Sequence, residues 1–154
     1  MVDWAEPWIL LEKSTVNYSK AIYSVAQRNE LNKKKMHNFR KLRVYLVAKE
    51  LVKEVYLLLD TFPAKEKFAL VDQLRRSVIS VPSNIAEGLG RSTNKDKGHF
   101  VQIAYGSLME VLAQLDVACD VGYISTEQFL KMEQLIVEES KLLHGMINSL
   151  KDKQ

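Results

Sequence analysis

Apolar residues recur at intervals of three and four positions along four successive segments of this chain. That spacing puts them on one face of an α-helix. Prolines and glycines, which interrupt helices, number only three and six in 154 residues. Hydrophobic residues make up 47% of the sequence, enough to fill a core between such helices. Because no strand-like alternation of useful length occurs, the sequence predicts an all-α fold.

The first two predicted helices are separated by a proline. The first apolar stripe covers residues 39–60, and Pro63 disfavours helix at the residue before it. The second stripe runs over about 64–90 and keeps its spacing through Pro82. A proline inside a helix removes one backbone hydrogen bond, so we expect a helix that bends there rather than stops.

Capping signals precede the other two predicted helices. Thr93, followed by Asp96, marks the start of a helix that reaches about residue 121. Ser125 and Gln128 form a capping box ahead of the fourth helix, whose apolar stripe has Glu139 in one polar slot. Short turns between four amphipathic helices predict an antiparallel, up-down-up-down four-helix bundle.

Residues 1–35 differ from the rest of the chain. They contain Trp4 and Trp8 but only a weak helical pattern, and they end in a run of lysines. Two interpretations remain open: an extra N-terminal helix on the bundle, or an extension upstream of a start at Met36. We therefore assign the bundle domain to residues 36–154 and predict that residues 1–35 pack less firmly.

Composition excludes several classes of protein. The net charge is +3 and the pI about 8.9, which is mildly basic and does not by itself imply nucleic acid. Cys119 is the only cysteine, so no intramolecular disulfide can form. The apolar runs are far shorter than the ~20 residues that span a bilayer, and the first residues do not resemble a secretory signal. A soluble cytoplasmic protein is the expectation.

Catalytic and metal-binding signatures are absent from the sequence. Four-helix bundles that hold two metal ions use inward carboxylates and Glu-x-x-His pairs. The nearest approach here is Asp96-x-x-His99, which occurs once, at a helix start. Nothing in the sequence indicates a nucleophile with its partner base. We expect no metal, no cofactor and no enzymatic activity.

A cluster of basic residues around the second and third helices is the candidate binding surface for nucleic acid. Residues 75–97 carry five bases and two acids, whereas residues 110–154 carry four bases and eight acids. Such a surface could contact phosphates, or it could be a solvated face with salt bridges between subunits. A second basic run at residues 33–43 has the same two interpretations. The candidate residues are Arg75, Arg76, Arg91, Lys95 and Lys97.

The block from Gln73 to Gly88 has an unusual pattern, Q-L-R-R-S-x-x-S-x-P-S-N-I-A-E-G. Together with NFRKLRVYLVAKELV before it and FVQIAYGSLMEVLAQLDVA after it, this block resembles the 23S rRNA intervening-sequence proteins, also called the four-helix bundle protein family. The resemblance covers residues 38–150. Its motif residues are expected to serve packing or a subunit interface, and they are Gln73, Ser80, Pro82, Asn84, Glu87 and Gly88.

The resemblance also implies an oligomeric state and a class of partner. The family is similar to the accessory protein of diversity-generating retroelements, a pentameric barrel with a basic surface that works with a reverse transcriptase and nucleic acid. A homo-oligomer, five subunits and contact with RNA or DNA are therefore implied. The first helix independently favours assembly, because its apolar residues cover more of its circumference than one core needs. The alternative is a protein-interaction scaffold that touches no nucleic acid.

Overall fold

The computed structural model describes residues 38–151, together with Ser24 and Gln27. Residues 38–151 contain four α-helices and no β-strand, as predicted. The predictions made for residues 1–35 concern a segment that, apart from those two positions, lies outside the described residues. The α-helices are α1 (Arg43–Leu59), α2 (Leu70–Gly90), α3 (Asn94–Asp120) and α4 (Thr126–Lys151), and short 3₁₀ helices cover Asn38–Lys41 and Ala64–Glu66.

Neighbouring helices run antiparallel. Ser77, near the start of α2, donates to Gln114, near the end of α3, at 2.8 Å. Gly88, near the end of α2, lies against Phe100, near the start of α3. Along the bundle, α2 packs on α1 and α3, and α4 packs on α3 and α1. The predicted up-down-up-down four-helix bundle is therefore confirmed.

The core is formed by the apolar stripes that the spacing predicted. Every residue of the α3 stripe is fully shielded from solvent, and the α1 stripe is buried to the same degree or nearly so. These stripes consist of Val101, Ala104, Leu108, Val111, Leu115 and Ala118 on α3, and of Val44, Ala48, Leu51, Val55 and Leu58 on α1. Burial of apolar side chains is the main favourable contribution to folding, so these stripes hold the helices together.

The second helix begins later than predicted. Residues 64–66 form a 3₁₀ turn, and α2 starts at Leu70. The Glu66 carboxylate accepts a hydrogen bond from the Tyr123 hydroxyl at 2.9 Å and from the Leu70 N–H at 3.5 Å. The Tyr123 contact joins this segment to the turn between α3 and α4, and the Leu70 contact places the Glu66 carboxylate at the first N–H group of α2.

The α2 helix continues through Pro82, as the apolar spacing predicted. Polar side chains beside the proline bond backbone carbonyls one turn earlier. Ser83 donates to the Ile79 carbonyl and Asn84 donates to the Ser80 carbonyl, each at 2.8 Å. These hydrogen bonds add side-chain links to the turn that follows the Val78 carbonyl, the carbonyl that loses its helical N–H partner to the proline.

Both predicted capping arrangements are present. The Thr93 hydroxyl accepts from the backbone N–H of Asp96 at 3.0 Å. At the start of α4, Ser125 and Gln128 bond each other's backbone N–H groups through their side chains. These caps set the first turns of α3 and α4 and thereby fix the ends of the bundle.

The end of α2 approaches the start of α3 closely at Gly88. A Cβ atom at this position would lie 3.0 Å from the Phe100 Cβ and 3.2 Å from the Lys97 carbonyl oxygen. The second neighbour is backbone and cannot rotate away. Gly88 therefore sets the distance between the two helices at this end of the bundle.

We predict that Gly88→Ala destabilises the protein by about 1–2 kcal/mol, because the crowding outweighs alanine's better helix propensity. Gly106→Ala is the matched control, since that glycine lies inside α3 and an alanine methyl there would have no neighbouring atom within 4 Å. It should stabilise by about 0.5–1 kcal/mol. Urea unfolding measures both, and equal effects of the two substitutions would contradict the close packing at Gly88.

Candidate nucleic-acid interface

Arg75 and Arg76 lie near the start of α2, and both contact neighbours within the bundle. Arg76 donates to Asp72 one turn earlier, and this hydrogen bond holds the pKa of the Asp72 carboxyl below its usual value. Arg75 is exposed, with its guanidinium carbon 5.9 Å from the centre of the Tyr56 ring on α1. These two arginines are thus surface groups, of which one is already neutralised by a carboxylate.

Arg91, Lys95 and Lys97 lie at the turn from α2 to α3. Arg91 bonds Glu87 and stacks over the Phe100 ring, 4.5 Å from its centre. Neither lysine takes part in an ion pair with any residue of the described region. The lysines therefore offer positive charge to a ligand, whereas the charge of Arg91 is partly balanced.

The five predicted residues do not form one site. Sixteen helical positions separate Arg75 from Arg91, which corresponds to about 24 Å along α2 at 1.5 Å per residue. Arg75 and Arg76 consequently lie at one end of the bundle, and Arg91, Lys95 and Lys97 lie at the other. The five residues predicted to form one basic surface therefore belong to two groups with different surroundings.

Charge is distributed unequally between the two ends. The basic end comprises residues 38–50, 81–106 and 138–151, which carry nine lysines and arginines and five acids, a formal net of +4. The acidic end comprises residues 51–80 and 107–137, which carry six bases and nine acids, a formal net of −3. Arg75 and Arg76 belong to the acidic end. The lysines of the α2–α3 turn lie where positive charge predominates.

Antiparallel packing brings further basic residues to the end of the bundle that contains the α2–α3 turn. These residues are distant from that turn in sequence. They come from the start of α1 and the end of α4, which lie at the same end of the bundle as the start of α3. The additional residues are Arg40, Lys41, Lys49, Lys141 and Lys151. Arg43 also lies there but bonds Glu138 of α4, and the lysines at 33–35 lie outside the described residues.

A pocket lies at the basic end between the first turns of α3 and the last turns of α4. Its volume is about 320 Å³, and Lys95, His99 and Lys151 contribute basic side chains, with Gln102 beside them. The backbone N–H groups at the start of a helix also favour anions. This combination suits a phosphate or another small anion.

The motif block lies in the interface between α2 and α3. The hydroxyls of Ser80 and Ser107 are 2.8 Å apart, and Asn84 donates to the Ser80 hydroxyl at 2.9 Å. Pro82 and Gly88 are buried within the same helix, and the Gln73 carbonyl accepts from the Ser77 hydroxyl. Ser80, Asn84 and Gly88 therefore contribute to the packing of α2 on α3. Pro82 lies on the side of α2 that faces α1, and Gln73 is exposed.

A second concave surface lies between α1 and α2. This groove has a volume of about 730 Å³ and is lined mainly by apolar atoms, with Lys49 and Lys53 on the α1 side. Tyr56, Leu57 and Ile79 in its wall are 41–57% exposed. The groove thus includes much of the surplus apolar surface predicted for the first helix, the other lining residues being Tyr45, Val52, Asp60, Pro82, Ser83 and Ala86.

Residues 38–151 lack two features typical of metalloenzymes and membrane proteins. This region has no cluster of three metal-ligating side chains. It also has no helix with the length and hydropathy needed to cross a membrane.

Comparison with known proteins identifies the family. The family model for the 23S rRNA-intervening sequence protein matches residues 40–145, more than two thirds of the chain. The chain belongs to this family. No curated protein matches it.

A solved structure also resembles the bundle. It is a protein of unknown function from the S23 ribosomal protein family of Bacteroides thetaiotaomicron, 25% identical in sequence with a TM-score of 0.63. The match covers 68% of this chain and 97% of that one. The two proteins thus share this arrangement of helices.

Proposed function

We propose that this member of the family is a non-enzymatic, cytoplasmic binding module that assembles from several copies and contacts RNA or DNA backbone through its basic end. The observation that supports this proposal is the concentration of nine bases against five acids at one end of the bundle. Phosphate backbones bind to such surfaces by displacing condensed counterions. The family name connects its members with intervening sequences of 23S rRNA, so ribosomal RNA is the first ligand to test.

The side chains at the basic end favour contact with phosphates over recognition of bases. Lys95, Lys97 and Lys151 are in no ion pair within the described residues, so binding would not require an existing pair to break. One face of the Phe100 ring at this end is covered by Arg91, which leaves less of that ring for base stacking. Binding directed at the backbone should therefore show weak sequence preference.

We predict that the triple substitution Lys95→Gln, Lys97→Gln, Lys151→Gln weakens RNA binding and makes its salt dependence shallower. The slope of log K against log salt is negative, and each lost phosphate contact should reduce its magnitude by about one unit or slightly less. Fluorescence anisotropy with a labelled RNA, between about 50 and 200 mM salt where such effects are large, measures both quantities.

The matched control is the triple substitution Lys65→Gln, Lys67→Gln, Arg75→Gln, which removes the same charge from the acidic end. It should leave affinity and slope nearly unchanged. If both triple variants lose affinity equally, binding depends on total charge and the basic end is not the site. If neither loses affinity, nucleic-acid contact through these lysines is excluded.

Assembly into an oligomer would use the groove between α1 and α2. Its apolar wall and its two lysines complement a surface with apolar and acidic groups, and the α3–α4 side of another copy has both. On that side, Val117, Val121, Leu130 and Val137 are exposed among acidic neighbours. A contact between two different faces can close into a ring. The number five remains a prediction from the resemblance.

We predict that Leu57→Asp, which introduces a charge into the groove, dissociates the oligomer while the helical content is retained. Leu46→Asp is the control, because Leu46 is on the same helix, comparably exposed, and outside the groove. Size-exclusion chromatography with light scattering and circular dichroism measure mass and helicity. A wild-type monomer, or dissociation by both substitutions alike, would contradict assembly through the groove.

The same groove also favours the second candidate, a protein-interaction scaffold that contacts no nucleic acid. An exposed apolar concavity of this kind commonly marks a protein interface. The two functions differ in one measurement: adding mixed RNA before light scattering should increase the mass of the eluting species only if the first function is correct.

A further inference from the structure

Glu139 is a carboxylic acid in the middle of the core stripe of α4. Its side chain is fully shielded from solvent, between Ile136 and Leu143 on the same stripe. Among the described residues, neither of its carboxyl oxygens has a hydrogen-bond partner. Ser77, the other buried polar residue of the described region, bonds Gln114 and the backbone. Glu139 is therefore a buried polar group whose hydrogen-bonding capacity is unmet.

No opposite charge within the described residues compensates Glu139. The helices packed against α4 are α1 and α3. On α1, Arg43 bonds Glu138 and Glu54 bonds Lys131, so both pairs lie along the rim of the α1–α4 contact. On α3, Glu110 accepts from Gln114.

Burial is the largest influence on the pKa of the Glu139 carboxyl. It raises the pKa of Glu139 to about 8, and the negative charge of the adjacent Glu138 acts in the same direction. An ionised carboxylate without a partner is unfavourable in an apolar interior, so the packed bundle holds this side chain protonated near neutral pH.

We propose that Glu139 is a proton-controlled switch: as the neutral acid it allows α4 to pack against α1 and α3, and when it ionises, this part of α4 must separate enough to admit water. The rim ion pairs Arg43–Glu138 and Lys131–Glu54 continue to join α1 to α4 while the core between them hydrates. The bundle would thus open locally on its α4 side rather than unfold as a whole.

The direction of the pH dependence follows from the two ionisation states. The folded protein binds this proton up to about pH 8, whereas the unfolded chain releases it near the ordinary value of 4.5. Between these values the folded state holds more protons, so stability decreases as pH rises. The stabilisation that comes from this bound proton is fully present below about pH 4.5. Between about pH 4.5 and pH 8 the equilibrium constant for unfolding rises roughly tenfold per pH unit, and above about pH 8 it no longer changes through this group.

The test compares wild type with Glu139→Gln, which keeps the shape and cannot ionise. Glu133→Gln is the control, because it removes a carboxylate from the same helix at a position that is not fully buried. Urea unfolding from about pH 5 to pH 9 should show wild type losing stability relative to Glu139→Gln up to about pH 8, whereas Glu133→Gln follows wild type.

Hydrogen exchange then distinguishes a local switch from a global effect. At about pH 9, backbone amides around residues 135–143 should exchange faster in wild type than in Glu139→Gln by a larger factor than amides in the middle of α2, which report only the global loss of stability. Should Glu139→Gln fail to fold, Glu139→Leu replaces it, with the same expected profile. Parallel pH profiles of wild type and the variant, or a uniform change in exchange across all four helices, would overturn the proposal.

Discussion

The structure depends on the close contact between α2 and α3. Small and polar residues make this contact possible: Gly88 lets the α2 backbone approach Phe100, and the hydroxyls of Ser80 and Ser107 bond across the helices. Because the contact extends along most of α2, it sets the antiparallel register of the hairpin. That register determines which charged residues share an end of the bundle, and so the candidate site depends on it.

Most of the fold could be predicted from the sequence because it is determined by local patterns. The three/four spacing identified the buried stripes, and the Thr93 and Ser125 caps identified where two helices start. The start of α2 was placed too early, because the turn at residues 64–66 is held by Tyr123, which is distant in sequence. A contact between distant segments leaves no periodic signal in the segment that it shapes.

The candidate site was predicted less completely for the same reason. The sequence places Arg75, Arg91 and Lys95 within twenty-one positions, yet a straight helix separates the first from the others. Conversely, Lys151 is distant in sequence from Lys95 and lines the same pocket. The sequence did mark Glu139 as the polar position in an apolar stripe, but that no group of the surrounding helices bonds its carboxyl oxygens could be seen only with those helices in place.

The unequal charge of the two ends makes each bundle an electric dipole along its long axis. In the field of a polyanion such a molecule experiences a torque before any contact forms, and it arrives with one orientation preferred. Screening limits this effect to about 8 Å beyond the surface at physiological ionic strength. Mutations at the acidic end would thus act on the rate of association through orientation, and a measurement of the association rate constant would detect this effect directly.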